Sequence, residues 1–164
     1  KEHIVELQQL LLKDGAYLIG VPNRDPADLA LKAKASASSF LSDRKKGVVL
    51  GPENVNNGWS RAVGTSRNAW APDPKEKLPQ WVQLDLPAVE TVSCMHVSFQ
   101  NRKILAADFA VQIDSSGEWK TVAEIAGNSD RRRVIRFDPV KTDKVRLVLQ
   151  RALGEAAVCE IRIY

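Results

Sequence analysis

The sequence has little with which to carry out chemistry of its own. Of its 164 residues only two are His and two are Cys. There is no G-x-S-x-G, no phosphate loop, no G-x-G-x-x-G and no H-E-x-x-H. His3 belongs to the opening segment, and His96 falls mid-strand on what reads as a polar face. Neither meets a nucleophile in a recognisable arrangement, and the acids fall mostly in turns and on polar faces. The chain alone is therefore not expected to be an enzyme. Two Cys are also too few for a disulfide scaffold or a thiolate metal site. Cys94 and Cys159 both lie in apolar strand-like runs, which suits two buried thiols. A disulfide between paired strands is the lesser alternative. No apolar run approaches the ~18 residues of a membrane span. No basic stretch followed by an apolar one opens the chain, so no signal peptide is expected.

Charge of one sign is scarce as well. The chain carries 24 Lys and Arg against 20 Asp and Glu, a formal charge of +4. That balance permits an acidic partner without requiring one. Arg131-Arg132-Arg133 is the densest basic run. It follows a Gly127-Asn128-Ser129-Asp130 turn, leads into a strand and lacks interleaved aromatics. A solvated strand entry is expected there, and nucleic acid is not.

What the sequence does contain is period-two alternation. Ile4, Leu7 and Leu11 give the first 15 residues a helical face, and a second short helix is expected from Pro26 to Lys34, capped by Asp25. From Ser36 onward the texture changes. Val82-Leu84-Leu86, Met95-Val97-Phe99, Phe109-Val111-Ile113, Val145-Leu147-Leu149 and Cys159-Ile161-Ile163 each alternate with mostly polar neighbours. Trp119 to Ile125 and Arg133 to Phe137 add further strands. Short strands separated by Gly, Pro, Asn and Asp predict an antiparallel β-sandwich of jelly-roll type, an all-β fold. Residues 1–34 read as a helical appendage and 35–164 as the sandwich domain. Two long irregular stretches, 42–67 and 71–79, are the natural places for a binding site. Trp59 is the tryptophan with most reason to be partly exposed in such a loop. There it could stack on a sugar ring, although packing outweighs stacking even at this position.

Several segments together resemble the coagulation factor 5/8 type C, or discoidin, domain. They are Ala35-Ser36-Ala37-Ser38-Ser39, Asn57-Gly58 with Asn68-Ala69-Trp70, Gln80-Trp81-Val82-Gln83-Leu84-Asp85-Leu86, Gly117-Glu118-Trp119, Lys144-Val145-Arg146-Leu147 and Glu160-Ile161-Arg162-Ile163-Tyr164. The resemblance implies a galactose-binding-like fold shared with family 32 carbohydrate-binding modules. It also implies a non-catalytic, carbohydrate-binding accessory module attached to a larger enzyme, with export from the cytoplasm. Its ligand surface is implied at one end of the sandwich, with Asp73, Lys75, Asn101, Arg102 and Arg151 as candidates. Lys75, Arg102, Lys103 and Arg151 would form a basic rim suited to an acidic glycan. The family's calcium pattern, D-G-x-x-x-T-x-W closed by a Glu of the last strand, falls here on Asn57, Asn68 and Glu160. The missing carboxylate at Asn57 should weaken such a site.

The opening segment, Glu6 to Leu11 with Asp14-Gly15 and then Asp25 to Ala30, is similar to the stretch that precedes such a domain in some bacterial FAD-dependent oxidoreductases. That likeness implies FAD only on a separate upstream domain. It also supports the alternative function, an interaction domain docked on a parent enzyme's catalytic domain with no glycan site. Burial of Leu7, Leu10 and Leu11 against the sandwich would distinguish the two.

Overall fold

A computed structural model describes residues 21–43 and 45–164. The expected opening helix, with Leu7, Leu10 and Leu11, lies outside the described residues.

The strands in chain order are β1 (Lys34–Ala37), β2 (Ser42–Asp43), β3 (Val48–Val49), β4 (Gln80–Phe99), β5 (Leu105–Ser115), β6 (Glu118–Ile125), β7 (Arg132–Leu153) and β8 (Val158–Ile163). The main sheet runs β1-β4-β7-β5-β6, with β8 added on β4, and every pairing is antiparallel. β2 and β3 form a separate short hairpin. The long strands β4 and β7 make this single network a sandwich. Their register shifts between Asp85 and Glu90 and again between Val92 and Cys94. Such irregularities bend a strand and raise its twist. The first part of β4 therefore pairs with β1 and the last part with β8. Both parts turn their apolar residues into one core: Val82 and Leu84 meet the same cluster as Val97 and Phe99. The Phe99 and Phe109 rings touch edge-on there, 5.6 Å between centroids.

The alternation read from sequence is the inward face of this sandwich. Leu84, Leu147, Leu149, Phe109, Ile113, Ile161 and Ile163 are all fully buried. Both Cys are free and buried. Burial pushes the Cys159 thiol up to about 11 and the Cys94 thiol up as well, so both stay protonated and unreactive.

Two local expectations change. In place of a helix from Pro26 to Lys34 there is one 3-10 turn, Leu29–Lys32. Asp25 Oδ1 accepts from Ala27 N at 3.0 Å, and Asp28 Oδ1 accepts from Ala30 N at 3.0 Å. Two carboxylates bonding to their own backbone compete with continuous helix, and Ala33 is already extended. This stretch also contributes to the sandwich itself, because Ala30 is fully buried in the main core.

His96 is the second change. It lies opposite the core residues of β4, yet only 1% of it is exposed. The 3-10 turn packs on β4 and β8, and Asp25 and the Tyr164 ring lie against the His96 face, the ring centroid at 5.0 Å. Burial, with help from Arg162 and Arg136, pushes the imidazole down to about 4 from its ordinary 6.5. The folded protein thus resists a proton that the unfolded chain accepts. The stability His96 lends is complete above pH 6.5 and is lost as pH falls toward 4. Asp28, pushed up to about 7 chiefly by burial, acts in the opposite sense over the same range. The difference in urea-unfolding free energy between wild type and His96→Asn isolates the histidine. From pH 7 to pH 4 the wild type should lose up to about 3 kcal/mol relative to the variant. A difference that does not vary with pH would show that His96 is not buried as a neutral base.

Candidate functional site

Strand ends converge at one end of the sandwich. There β4 stops at Phe99, β5 starts at Leu105, β7 stops at Leu153 and β8 starts at Val158. Trp70 fastens the long loop to this end. Its backbone exchanges hydrogen bonds with Val158, and its indole N–H donates to Ser39 O at 2.9 Å. Ser39 Oγ in turn accepts from Asp73 N at 3.1 Å and donates to Gln80 Oε1 at 2.9 Å. Leu41 N donates to Ala71 O, and Leu50 N to Leu41 O, so the β2–β3 hairpin is tied to the same loop. Between hairpin and loop lies an open cleft of ≈ 560 Å³, lined by Leu41, Asp43, Lys45, Asp73, Pro74 and Lys75 among others. A smaller hollow of ≈ 260 Å³ lies between the hairpin and residues 65–67. Phe40 precedes the cleft wall and is 42% exposed.

Of the expected ligand residues, Asp73 and Lys75 meet in this cleft. Asp73 also shapes it, since its Oδ1 accepts from Lys75 N at 3.0 Å. Asn101 is occupied with its own turn, accepting from Lys103 N at 2.8 Å and Ile104 N at 3.0 Å. Arg102 and Lys103 are exposed at the tip of that turn. Arg151 is engaged elsewhere. Opposite Asp108 in the β5–β7 register, it grips that carboxylate at 2.6 and 3.0 Å. The contact holds Asp108 below the usual carboxylate range. The basic rim therefore loses one member to an ion pair.

The tryptophans have other work. Trp70 is fully buried and Trp59 half-buried. Trp81 and Trp119 both hold the Arg146 guanidinium, whose carbon lies 3.9 and 3.7 Å from their ring centroids. Arg146 Nε also donates to Gln83 Oε1 at 2.7 Å, which satisfies the cation across three strands. Phe40 is an exposed aromatic that the sequence reading did not single out, and it does not line the cleft.

The three candidate calcium residues are placed differently. Asn57 and Asn68 come together, with Asn57 Nδ2 donating to Asn68 Oδ1 at 2.6 Å. Glu160, 2% exposed, lies 3.0 Å from Arg162 Nη2. Burial pushes the Glu160 carboxyl up, and Arg162, Arg132 and Arg131 draw it back down. Among the described residues no three His, Cys, Asp or Glu side chains form a metal-holding group. Arg131, expected at a solvated strand entry, turns inward. Its Nη2 donates to Ser60 O at 2.6 Å and its Nε to Gln100 O at 3.2 Å.

The F5/8 type C domain model matches residues 33–162, and the chain belongs to that family. No curated protein sequence matches it. Solved structures share the fold. SpGH29 is 25% identical with a TM-score of 0.65, over 84% of this chain and 27% of that one. The chain thus spans about a quarter of that longer protein. A Clostridium perfringens module, CpGH89CBM32-5, solved with GalNAc-β-1,3-galactose, is 18% identical with a TM-score of 0.69, over 84% of this chain and 99% of that one. A chitosan-binding module from Paenibacillus sp. IK-5, solved with chitotriose, is 19% identical with a TM-score of 0.67, over 84% and 99% of the two chains. The expected link to an FAD-dependent oxidoreductase finds no support in these matches.

Proposed function

We propose that this domain is a non-catalytic carbohydrate-binding accessory module whose site is the cleft between the β2–β3 hairpin and the 71–75 loop. The observation that carries this reading is the cleft itself, a polar and partly apolar recess at the loop end of an F5/8 type C domain. Shared fold with modules solved in complex with sugars supports the same reading.

In mechanism, Leu41 and Pro74 offer apolar surface to a ring face, and the fixed polar groups of the loop meet its hydroxyls. Asp73 and Asp43 already accept hydrogen bonds from Lys75 N and Lys46 N. Lys45 and Lys75 carry no ion pair among the described residues. The lining carries both signs, and an anionic sugar would be held here through Lys45 and Lys75, clear of Asp43 and Asp73. Shallow recognition of this kind gives dissociation constants of ~0.1–1 mM, about 4–5.5 kcal/mol.

A glycan array at low and high salt, followed by titration of the best ligand, tests this. Pro74→Ala and Lys75→Ala should each weaken binding by roughly tenfold, the scale of about 1.4 kcal/mol. Arg151→Ala should leave it unchanged, because Arg151 is spent on Asp108. Salt should weaken it. Failure to bind any glycan, or binding that depends on Arg151 and ignores Lys75, would remove the cleft as the site.

A further inference from the structure

We propose that this domain closes its loop end with its own guanidinium and amide groups, at the place where the family pattern calls for calcium, and that its stability and binding are independent of that ion. The part concerning binding rests on the function proposed above. The part concerning stability does not.

Calcium takes six to eight oxygen ligands, each with a lone pair free to point at the ion. The loop here offers its oxygens to N–H groups instead. Gly58 O accepts from Asn23 N at 2.6 Å, Trp59 O from Asn68 Nδ2 at 3.1 Å, and Ser60 O from Arg131 Nη2 at 2.6 Å. Three successive carbonyls thus each hold one protein donor, which leaves a single lone pair on each for any ion. The side-chain oxygens are engaged in the same way. Asn57 Oδ1 accepts from Trp59 N at 3.1 Å, which turns its amide N–H toward Asn68 Oδ1. Asn68 Oδ1 is thereby occupied, and its own N–H faces Trp59 O. The chain of amides is self-consistent, and its orientation follows from the one backbone donor at Trp59. Glu160 could supply a carboxylate, and its two buried oxygens accept no well-aligned hydrogen bond among the described residues, but the Arg162 guanidinium 3.0 Å away already balances its charge.

The local field opposes a divalent cation as well. Arg162, Arg132 and Arg131 act on Glu160, and Arg131, Arg67 and Arg61 act on the neighbouring Cys159. Where a calcium ion would join loops, Arg131 joins them here by linking Ser60 O to Gln100 O. Arg67 adds a second tie. It donates to Gln100 Oε1 at 3.2 and 2.7 Å and also pairs with Glu155. Two guanidinium groups thereby hold the 57–60, 100–104 and 153–156 loops, and each carries its charge permanently.

The test is thermal unfolding of the protein in chelator and in millimolar calcium. The wild-type Tm should agree between the two within ~1 °C, since an ion that does not bind the native state cannot shift it. Terbium added to the protein should show no saturable luminescence sensitised by Trp59. Arg131→Met should lower Tm by several degrees, equally in both conditions. If that variant does not fold, Arg131→Lys, which keeps the charge but not the forked pair of donors, should fold with a lowered Tm that calcium does not restore. A calcium-induced rise in Tm in any of these proteins, saturable terbium luminescence, or Arg131→Met matching wild type would overturn the proposal. Loss of all glycan binding with the Tm results intact would remove the proposed function and leave metal independence standing.

Discussion

Asp28→Ala is expected to destabilise the protein by about 3 kcal/mol or more, because each buried donor left unpaired costs roughly 1–3 kcal/mol. One carboxylate, 2% exposed, serves three of them. Its Oδ1 accepts from Ala30 N and from Ile163 N, both at 3.0 Å, and its Oδ2 accepts from Asn23 Nδ2 at 2.7 Å. Ile163 N points away from β4, along the free edge of β8. Asp28 therefore caps a sheet edge and the Leu29–Lys32 turn together, two elements separated by 135 positions. For a domain whose total stability is ~5–15 kcal/mol, that loss is a large fraction. Asp28→Asn should fall between, since it keeps an acceptor for the two backbone donors but sets its amide against that of Asn23. Urea unfolding at pH 8, above the raised Asp28 pKa of about 7, would measure all three proteins with the carboxylate ionised. An Asp28→Ala midpoint close to wild type would mean that the 21–33 strap is not anchored where the structure places it.

Trp70→Ala is the second large effect, about 3–5 kcal/mol for removing a fully buried aromatic. Trp70 is 0% exposed and belongs to the main core. The conservative change Trp70→Phe carries more information about function. It keeps an aromatic ring in the core but removes the indole donor to Ser39 O. Ser39 is also the residue that holds Asp73 N and Gln80 Oε1. The expected outcome is a small loss of stability, about 1 kcal/mol, together with several-fold weaker glycan binding. Calorimetry and a binding titration on the same preparation would separate the two effects. Binding that stays at wild-type strength would show that the Trp70–Ser39 bond does not set the shape of the cleft.

Both residues show where sequence reading reached and where it stopped. Trp70 was legible as a family position, in Asn68-Ala69-Trp70. Its hold on Ser39 was not, because the two are 31 positions apart and lie on different elements. Asp28 read as part of a short helix. Its bond to Ile163 depends on the last strand arriving beside it, which no local pattern announces. The site divides in the same way. Asp73 and Lys75 were legible as loop residues after Trp70, and they share the cleft. Arg151 read as a free cation because its partner, Asp108, becomes its neighbour only through the β5–β7 register.

The sequence alone determined the alternating strands of the main sheet, their inward faces and the family, while the β2–β3 hairpin fell within a stretch that read as irregular. Period-two alternation is a property of each strand by itself, and burial of one face follows from it wherever the strand is placed. Tertiary structure alone decided what covers the outer faces and which charges meet. It buried His96 beneath the strap, paired Glu160 with Arg162, and turned Arg131 onto the loop carbonyls. The physical reason is range. A hydrophobic period is set by neighbours two residues apart, whereas a hydrogen bond or an ion pair depends on contacts that exist only once the sheet has folded over on itself.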